Sequence, residues 1–177
     1  AKRLGMDVIY FDADVSSVTK GESLFDTLAT LEAMGVDVAV LRHQEDDVYD
    51  TLRNQLRMHI VNAGNGMSAH PTQALLDWLT IRQEFGRIHG LTVAIIGDIR
   101  HSRVARSNVE GLIQLGAHPI VSGPEFFRAP DVERLAPYVP FEQALREADV
   151  VMMLRIQRER LEEDTQWDID EYFWEYG

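Results

Sequence analysis

The chain has 177 residues, is 45% hydrophobic and carries a formal net charge of −12. That is enough apolar material for a packed core, and the acidic balance argues against a partner that demands a basic field, such as nucleic acid or an anionic membrane surface. The absence of cysteine excludes a disulfide framework and a thiolate metal site.

No apolar run approaches the roughly 18 residues of a membrane span, and no leader pattern opens the chain, so the expected setting is cytoplasmic. The start, AKRLGMDVIYF, reads as the last turn of a helix running into a strand. The end, EYFWEYG, lacks a polar tail. Both ends therefore read as cut, and the chain as part of a longer protein.

In chain order, apolar β-rich runs alternate with longer helical patterns. Strands are predicted over Asp7–Phe11, Val36–Leu41, His59–Asn62, Thr92–Ile96, Pro119–Val121 and Val150–Leu154. Helices are predicted over Ser23–Met34, Asp46–Gln55, Pro71–Phe85, Arg103–Leu115 and Phe141–Glu147. Such alternation specifies an α/β fold of parallel sheets covered by helices. Runs such as VAVL and VAII are apolar throughout, as strands buried on both faces require. Gly86 and Gly90 break the pattern after Phe85. Two lobes are expected there, residues 1–82 and 88–177. The acidic stretch after Leu161 reads as a solvated amphipathic helix.

Ligands of such folds gather beyond the carboxyl ends of the strands. Five stretches fall there. SSVTKGES holds Ser16 and Lys20, and the chain has only one other lysine, Lys2. It reads either as an anion-binding loop or as a plain helix start. Arg42 closes the run VDVAVL and is either a ligand contact or a surface arginine. In NAGNGMSAHPTQ, proline at the first helical position suits a helix start. His70 and Gln73 then stand at the positive end of the helix, placed for a carbonyl oxygen or a phosphate. The alternative is that His70 only caps the helix.

The fourth stretch, GDIRHSRVARS, has Gly97 but not the G-x-G-x-x-G spacing, and the next strand ends IVSGP without an acidic residue. Both count against a dinucleotide site. Instead Arg100, Arg103 and Arg106 surround a helix start, and guanidinium forks suit carboxylates. In the fifth, LRIQRER, Arg155 and Gln157 follow a strand, while Arg158 and Arg160 read as a solvated charged face. No metal-spaced histidines and no nucleophile–histidine pair occur, so neither a metal nor a cofactor is expected. The chemistry on offer is anion positioning and oxyanion stabilisation.

Taken in order, SSVTKGES, LRH, NAGNG with HPTQALLD, GDI with HSRVARS, and MMLRIQRER resemble the aspartate carbamoyltransferases of the aspartate/ornithine carbamoyltransferase superfamily. The resemblance spans nearly the whole chain, and the pair SRVARS and LRIQRER is its most specific part. It implies two α/β lobes, one per substrate, joined by a bridging helix that starts at HPTQ. It implies transfer of a carbamoyl group from carbamoyl phosphate to L-aspartate in pyrimidine biosynthesis.

By the same resemblance, Arg42, His70, Gln73 and Ser16 would bind carbamoyl phosphate, with Arg42 and His70 polarising its carbonyl. Lys20, Arg103, Arg155 and Gln157 would bind aspartate. Ser16 and Lys20 would act in a neighbouring subunit's site, which implies a homotrimer. A regulatory chain or a dihydroorotase stays open as a further partner. The alternatives are a non-catalytic scaffold of the same fold and an ornithine-type transferase.

Departures from the family pattern are also legible. Its Ser-Thr-Arg-Thr-Arg phosphate loop would precede Ala1, and its His-Pro-x-Pro loop and final helix would follow Gly177, so the chain by itself is expected to be inactive. Asn65 stands where aspartate is common, and Gln44 where proline is usual.

Overall fold

The computed structural model describes residues 1–11 and 23–157. Within them the chain folds as α/β, with two sheets and their covering helices. Strands β1 (Val38–His43) and β2 (His59–Asn65) form a two-stranded sheet. At one end Asp37 O accepts from His59 N at 2.9 Å, and at the other His43 O accepts from Gly66 N at 3.1 Å. Both bonds advance in the same sense along the two strands, so the pair is parallel.

Strands β3 (Thr92–Ile96), β4 (His118–Ser122) and β5 (Val150–Met153) form a second parallel sheet in the order β4-β3-β5. The helices are α1 (Leu24–Ala33), α2 (Val48–Leu52), α3 (Pro71–Phe85), α4 (Arg103–Gln114), α5 (Pro130–Glu133) and α6 (Phe141–Glu147). None of them is long and apolar enough to cross a membrane.

The chain divides into two compact units. One comprises Ala1–Val40 with Tyr49–Val61. The other comprises Leu41–Val48 with Asn62–Gly177, its described part ending at Gln157.

In the first unit, Ser23 caps α1. Its Oγ accepts from Asp26 N at 3.1 Å and donates to Asp26 Oδ2 at 2.7 Å, which settles one of the free N–H groups of the first turn. Two departures from the sequence reading occur here. Asp7–Phe11 is not a strand: among the described residues no neighbour is hydrogen-bonded to it, and Ile9 and Tyr10 lie exposed. An apolar β-rich run makes a strand only where a partner supplies the ladder. The predicted helix Asp46–Gln55 shrinks to α2, because the chain turns at Arg53–Gln55 with Asn54 in the left-handed region at φ 64°.

In the second unit the core lies on both faces of β3. Val93 and Ile95 pack with Val109 and Leu112 of α4 and Ile81 of α3, while Ala94 and Ile96 pack with Ala144 of α6. These four β3 side chains, Val93 to Ile96, are fully buried, which is why the run shows no polar alternation. Strand β3 and helices α3 and α6 have the predicted bounds. The short α5 and a 3-10 turn at Glu125–Phe127 had no sequence signal long enough to show periodicity. Pro71 opens α3, and Gly86 ends it at φ 71°.

Candidate active site

The second unit holds a cavity of about 520 Å³, lined among others by Arg42, Gln73, Asp77, Arg103, Arg155 and Gln157. Each comes from the end of an element. Arg42 lies at the carboxyl end of β1, Gln73 and Asp77 in the first turns of α3, and Arg103 at the start of α4. Arg155 and Gln157 follow β5. Of the residues singled out from sequence, the structure gathers Arg42, Gln73, Arg103, Arg155 and Gln157 around one space. Ser16 and Lys20 lie outside the described residues, as do Arg158 and Arg160.

Arg103 is the most enclosed of the three cavity arginines, at 7% exposure. Its Nη1 donates to Gly66 O at 3.2 Å. A Cβ on Gly64 would stand 2.8 Å from the Arg103 Cζ, and Gly64 has φ 116°. Glycine there lets the backbone lie flat against the guanidinium. The second glycine, Gly66, leaves room for Asp46: a Cβ would fall 1.9 Å from its Oδ1. Asp46 Oδ1 accepts from Met67 N at 2.7 Å and Ser68 N at 3.0 Å. These bonds fold the loop on which Arg103 rests.

Asn65, unexplained from sequence, is a buried part of the same loop. Its Nδ2 donates to Asp46 O at 2.6 Å and its Oδ1 accepts from Asn62 Nδ2 at 2.7 Å. An aspartate at 65 has no proton for that carbonyl, so the neutral amide matches this local backbone.

A hydrogen bond from the Ser68 side chain is the main cause holding the Asp46 carboxyl below its usual 3.8, joined by the two backbone N–H groups and opposed by burial. A carboxyl depressed in the folded state contributes stability that is present above about pH 3.8 and lost as pH falls toward its folded pKa. Asp46→Asn is therefore expected to lower the melting temperature at pH 7 by a few degrees, from about 1 kcal/mol of weakened hydrogen bonding. Melting curves against pH should show the gap to the parent protein closing below pH 3.8.

His70 does not cap α3 through its side chain. Its backbone N donates to Ser107 Oγ at 2.8 Å, and its Nδ1 lies 3.3 Å from Thr72 Oγ1. Burial is the main cause lowering its pKa below 6.5. The positive charges of Arg103 and Arg42 add to it, against an opposing pull from Asp77. The ring is then neutral at pH 7. If Thr72 donates to Nδ1, the proton sits on Nε2, giving an imidazole that can donate to an oxygen without carrying charge.

The three arginines near the α4 start separate cleanly. Arg106 turns away and pairs with Asp131, Nε to Oδ2 at 2.9 Å, and its Nη1 donates to Arg100 O at 3.0 Å. Burial raises the Asp131 carboxyl, but the hydrogen bond and charge of Arg106 outweigh it and leave the pKa low. Arg100 uses its backbone N to reach Phe127 O at 2.8 Å. Only Arg103 lines the cavity.

Two groups of residues went unnoticed in the sequence. Asp98, fully buried after β3, accepts at Oδ1 from His101 N (3.1 Å) and His101 Nδ1 (2.9 Å), and at Oδ2 from Gln157 N (3.2 Å). Gln157 Nε2 donates to His101 O at 2.7 Å. The chain after β5 is thus tied to the chain after β3, and Gln157 spends its amide nitrogen on that tie. The signal was an acidic residue following an all-apolar strand. The second group, Asp77 with Asn108, bridges α3 and α4. Among the described residues, no three histidine, aspartate or glutamate side chains cluster as metal ligands.

Residues 1–83 match the family model described as aspartate/ornithine carbamoyltransferase, carbamoyl-P binding domain. The chain is similar to the aspartate transcarbamoylase of Trypanosoma cruzi solved with carbamoyl aspartate and phosphate. The two are 34% identical, with TM-score 0.80, over 97% of this chain and 60% of that one.

The chain resembles the aspartate/ornithine carbamoyltransferases, in sequence over residues 1–83 and in fold over nearly its whole length.

A second structure of the Trypanosoma cruzi enzyme, with aspartate and phosphate, matches at 33% identity and TM-score 0.81, again over 97% of this chain and 60% of that one. The M. jannaschii aspartate transcarbamoylase catalytic subunit matches at 34% identity and TM-score 0.78, over 98% of this chain and 58% of that one. The chain therefore spans about 60% of the length of these carbamoyltransferase relatives. The likeness agrees with the α/β fold expected from the element order.

Proposed function

We propose that this protein is an aspartate carbamoyltransferase, forming N-carbamoyl-L-aspartate and phosphate from carbamoyl phosphate and L-aspartate in pyrimidine biosynthesis. The observation that carries the reading is the convergence of Arg42, Arg103 and Arg155 on one cavity of an otherwise acidic protein. Carbamoyl phosphate and aspartate together bring several negative charges to one place, and their repulsion has to be offset there. The relatives were solved with carbamoyl aspartate, aspartate and phosphate, which supports the same substrates here.

In this reading the aspartate amine attacks the carbamoyl carbon, the carbon–oxygen bond to phosphate breaks, phosphate leaves with the electron pair, and the proton lost by the amine passes to that phosphate. Negative charge grows on the carbamoyl oxygen, where Arg42 and neutral His70 donate. Gln73 holds the carbamoyl amide. Arg103 and Arg155 take the carboxylates of aspartate, and Gln157 shapes the wall beside them. Holding both reactants in line supplies the remainder of the rate gain through proximity, without a covalent intermediate.

Residues 1–82 form the carbamoyl-phosphate lobe, supported by the family model over nearly the same span, and residues 88–177 the aspartate lobe. The protein acts in the cytoplasm as a homotrimer, with Ser16 and Lys20 serving a neighbouring subunit's site, and a regulatory chain or a dihydroorotase is the class of larger partner it suits.

The test is transfer from carbamoyl phosphate by the full-length protein, offered aspartate or ornithine. Product from aspartate supports the assignment, and product from ornithine alone overturns it. Arg155→Ala is expected to raise the KM for aspartate about 10²-fold and to leave carbamoyl phosphate binding within a few-fold, measured by initial rates and calorimetry. Equal losses for the two substrates would contradict its role.

A further inference from the structure

Asp77 lines the cavity yet has no part in the transfer chemistry above. It sits one helical turn after Gln73, and its Oδ1 accepts from Gln73 Nε2 at 2.9 Å. Its Oδ2 accepts from Asn108 Nδ2 at 2.8 Å. Asn108 is fully buried in α4, and the same Nδ2 also donates to Val104 O at 3.1 Å. Both partners of that nitrogen are acceptors, so the sense of the Asn108 amide is settled.

The sense of Gln73 is settled in the same way. A carboxylate only accepts, so the Gln73 amide must turn its nitrogen to Asp77. Reversing it would set Oε1 against the carboxylate oxygens. With Nε2 held at Asp77, the carbonyl oxygen is the acceptor that Gln73 can offer a ligand, and what it can hold is an N–H.

We propose that Asp77 is a positioning residue that sets donor specificity: by fixing Gln73 as an acceptor, it makes the cavity select an acyl phosphate whose carbonyl carbon bears –NH2 over one that bears –CH3. This rests on the carbamoyl-transfer reading. The competing donor is acetyl phosphate, which is nearly the same shape. Its reaction balances in the same way: the aspartate amine bonds to the acetyl carbon, the carbon–oxygen bond to phosphate breaks, phosphate leaves with the electron pair, and the proton lost by the amine passes to that phosphate. In the ground state and the transition state alike, a methyl group leaves Gln73 Oε1 without a donor, which costs binding.

The experiment measures kcat/KM for carbamoyl phosphate and acetyl phosphate with aspartate, using the full-length protein. Asp77→Ala is expected to lower the carbamoyl-over-acetyl preference about 10-fold, because the Gln73 amide is then free to reverse. Asp77→Asn keeps an oxygen that accepts from Gln73 Nε2 and should restore most of the preference. Gln73→Ala should lose the preference to the same extent, and the double variant Gln73→Ala/Asp77→Ala no further. A loss shared equally by both donors in Asp77→Ala, or additive losses in the double variant, overturns the proposal.

Failure of the parent protein to use either donor would sink the carbamoyl-transfer reading instead. The positioning is then decided by 15N-resolved spectra of the Gln73 side-chain amide. One Nε2 proton should be shifted and protected from exchange in the parent and in Asp77→Asn, and both properties should vanish in Asp77→Ala. Unchanged spectra in Asp77→Ala overturn the proposal on that measurement alone.

Discussion

Turnover in the carbamoyl-transfer assay is expected to fall about 10²–10³-fold when His70 is replaced by alanine, the cost typical of removing one donor from a developing oxyanion. Stability should change little, because the bond from His70 N to Ser107 Oγ belongs to the backbone and survives the substitution. The pH dependence is the sharper measurement. Burial lowers the imidazole pKa, and the charges of Arg103 and Arg42 lower it further. The neutral, donating form then persists below pH 6.5, and the acid limb of kcat should lie below that value. A limb centred above pH 6.5 would contradict a neutral donor. His70→Gln, which keeps an N–H, should recover part of the rate and lose the limb. Folding follows the same group: its folded pKa is depressed, so its contribution to stability is present above about pH 6.5 and declines as pH drops below it.

Phe127→Ala is expected to cost about 3–5 kcal/mol, a fall in melting temperature on the order of 10 °C. Phe127 is fully buried, meets the His101 ring edge-on at 6.1 Å between centroids and packs against Phe126 at 4.1 Å. Its removal leaves a void beside His101, the residue that joins Asp98 to Gln157. The KM for aspartate should therefore rise in the same variant even at temperatures where it is folded. A variant that melts early yet keeps the parent KM would show that the Asp98–His101–Gln157 tie holds without the ring beneath it.

What was legible in the sequence follows from what periodicity can carry. Thr92–Ile96, Pro71–Phe85 and Phe141–Glu147 were read at their observed bounds, because each is either buried on every side or opened and closed by proline, glycine or a sharp change in pattern. Asp7–Phe11 misled, since an apolar β-rich run reports a potential strand and not a hydrogen-bonded neighbour. The arginines of the cavity stood out because strand ends in α/β sheets are where ligands collect, and because carboxylates outnumber cations in this chain, 29 to 17. The residues that orient them did not. Asp77 and Asn108 are 31 positions apart, and Asp98 and Gln157 are 59 apart. Each looks like an ordinary polar residue until the fold brings its partner close. Arg106 made the opposite error: it shares the motif with Arg103, but one helical turn points it at Asp131.

The central position of β3 has a consequence for synthesis of the chain. One edge of β3 is covered by β4, which follows soon after it, but the other waits for β5, whose entry residue Asp149 bonds to Thr92 across 57 positions. At about 5–20 residues per second, the ribosome leaves that second edge open for roughly 3–10 s after β3 emerges. During that interval TVAII is an uncharged, β-branched edge with no Pro or Lys to guard it. Newborn chains are thus most vulnerable to pairing with one another before Met153 has cleared the exit tunnel, and slowing translation across the β4–β5 stretch should raise the fraction lost to aggregates.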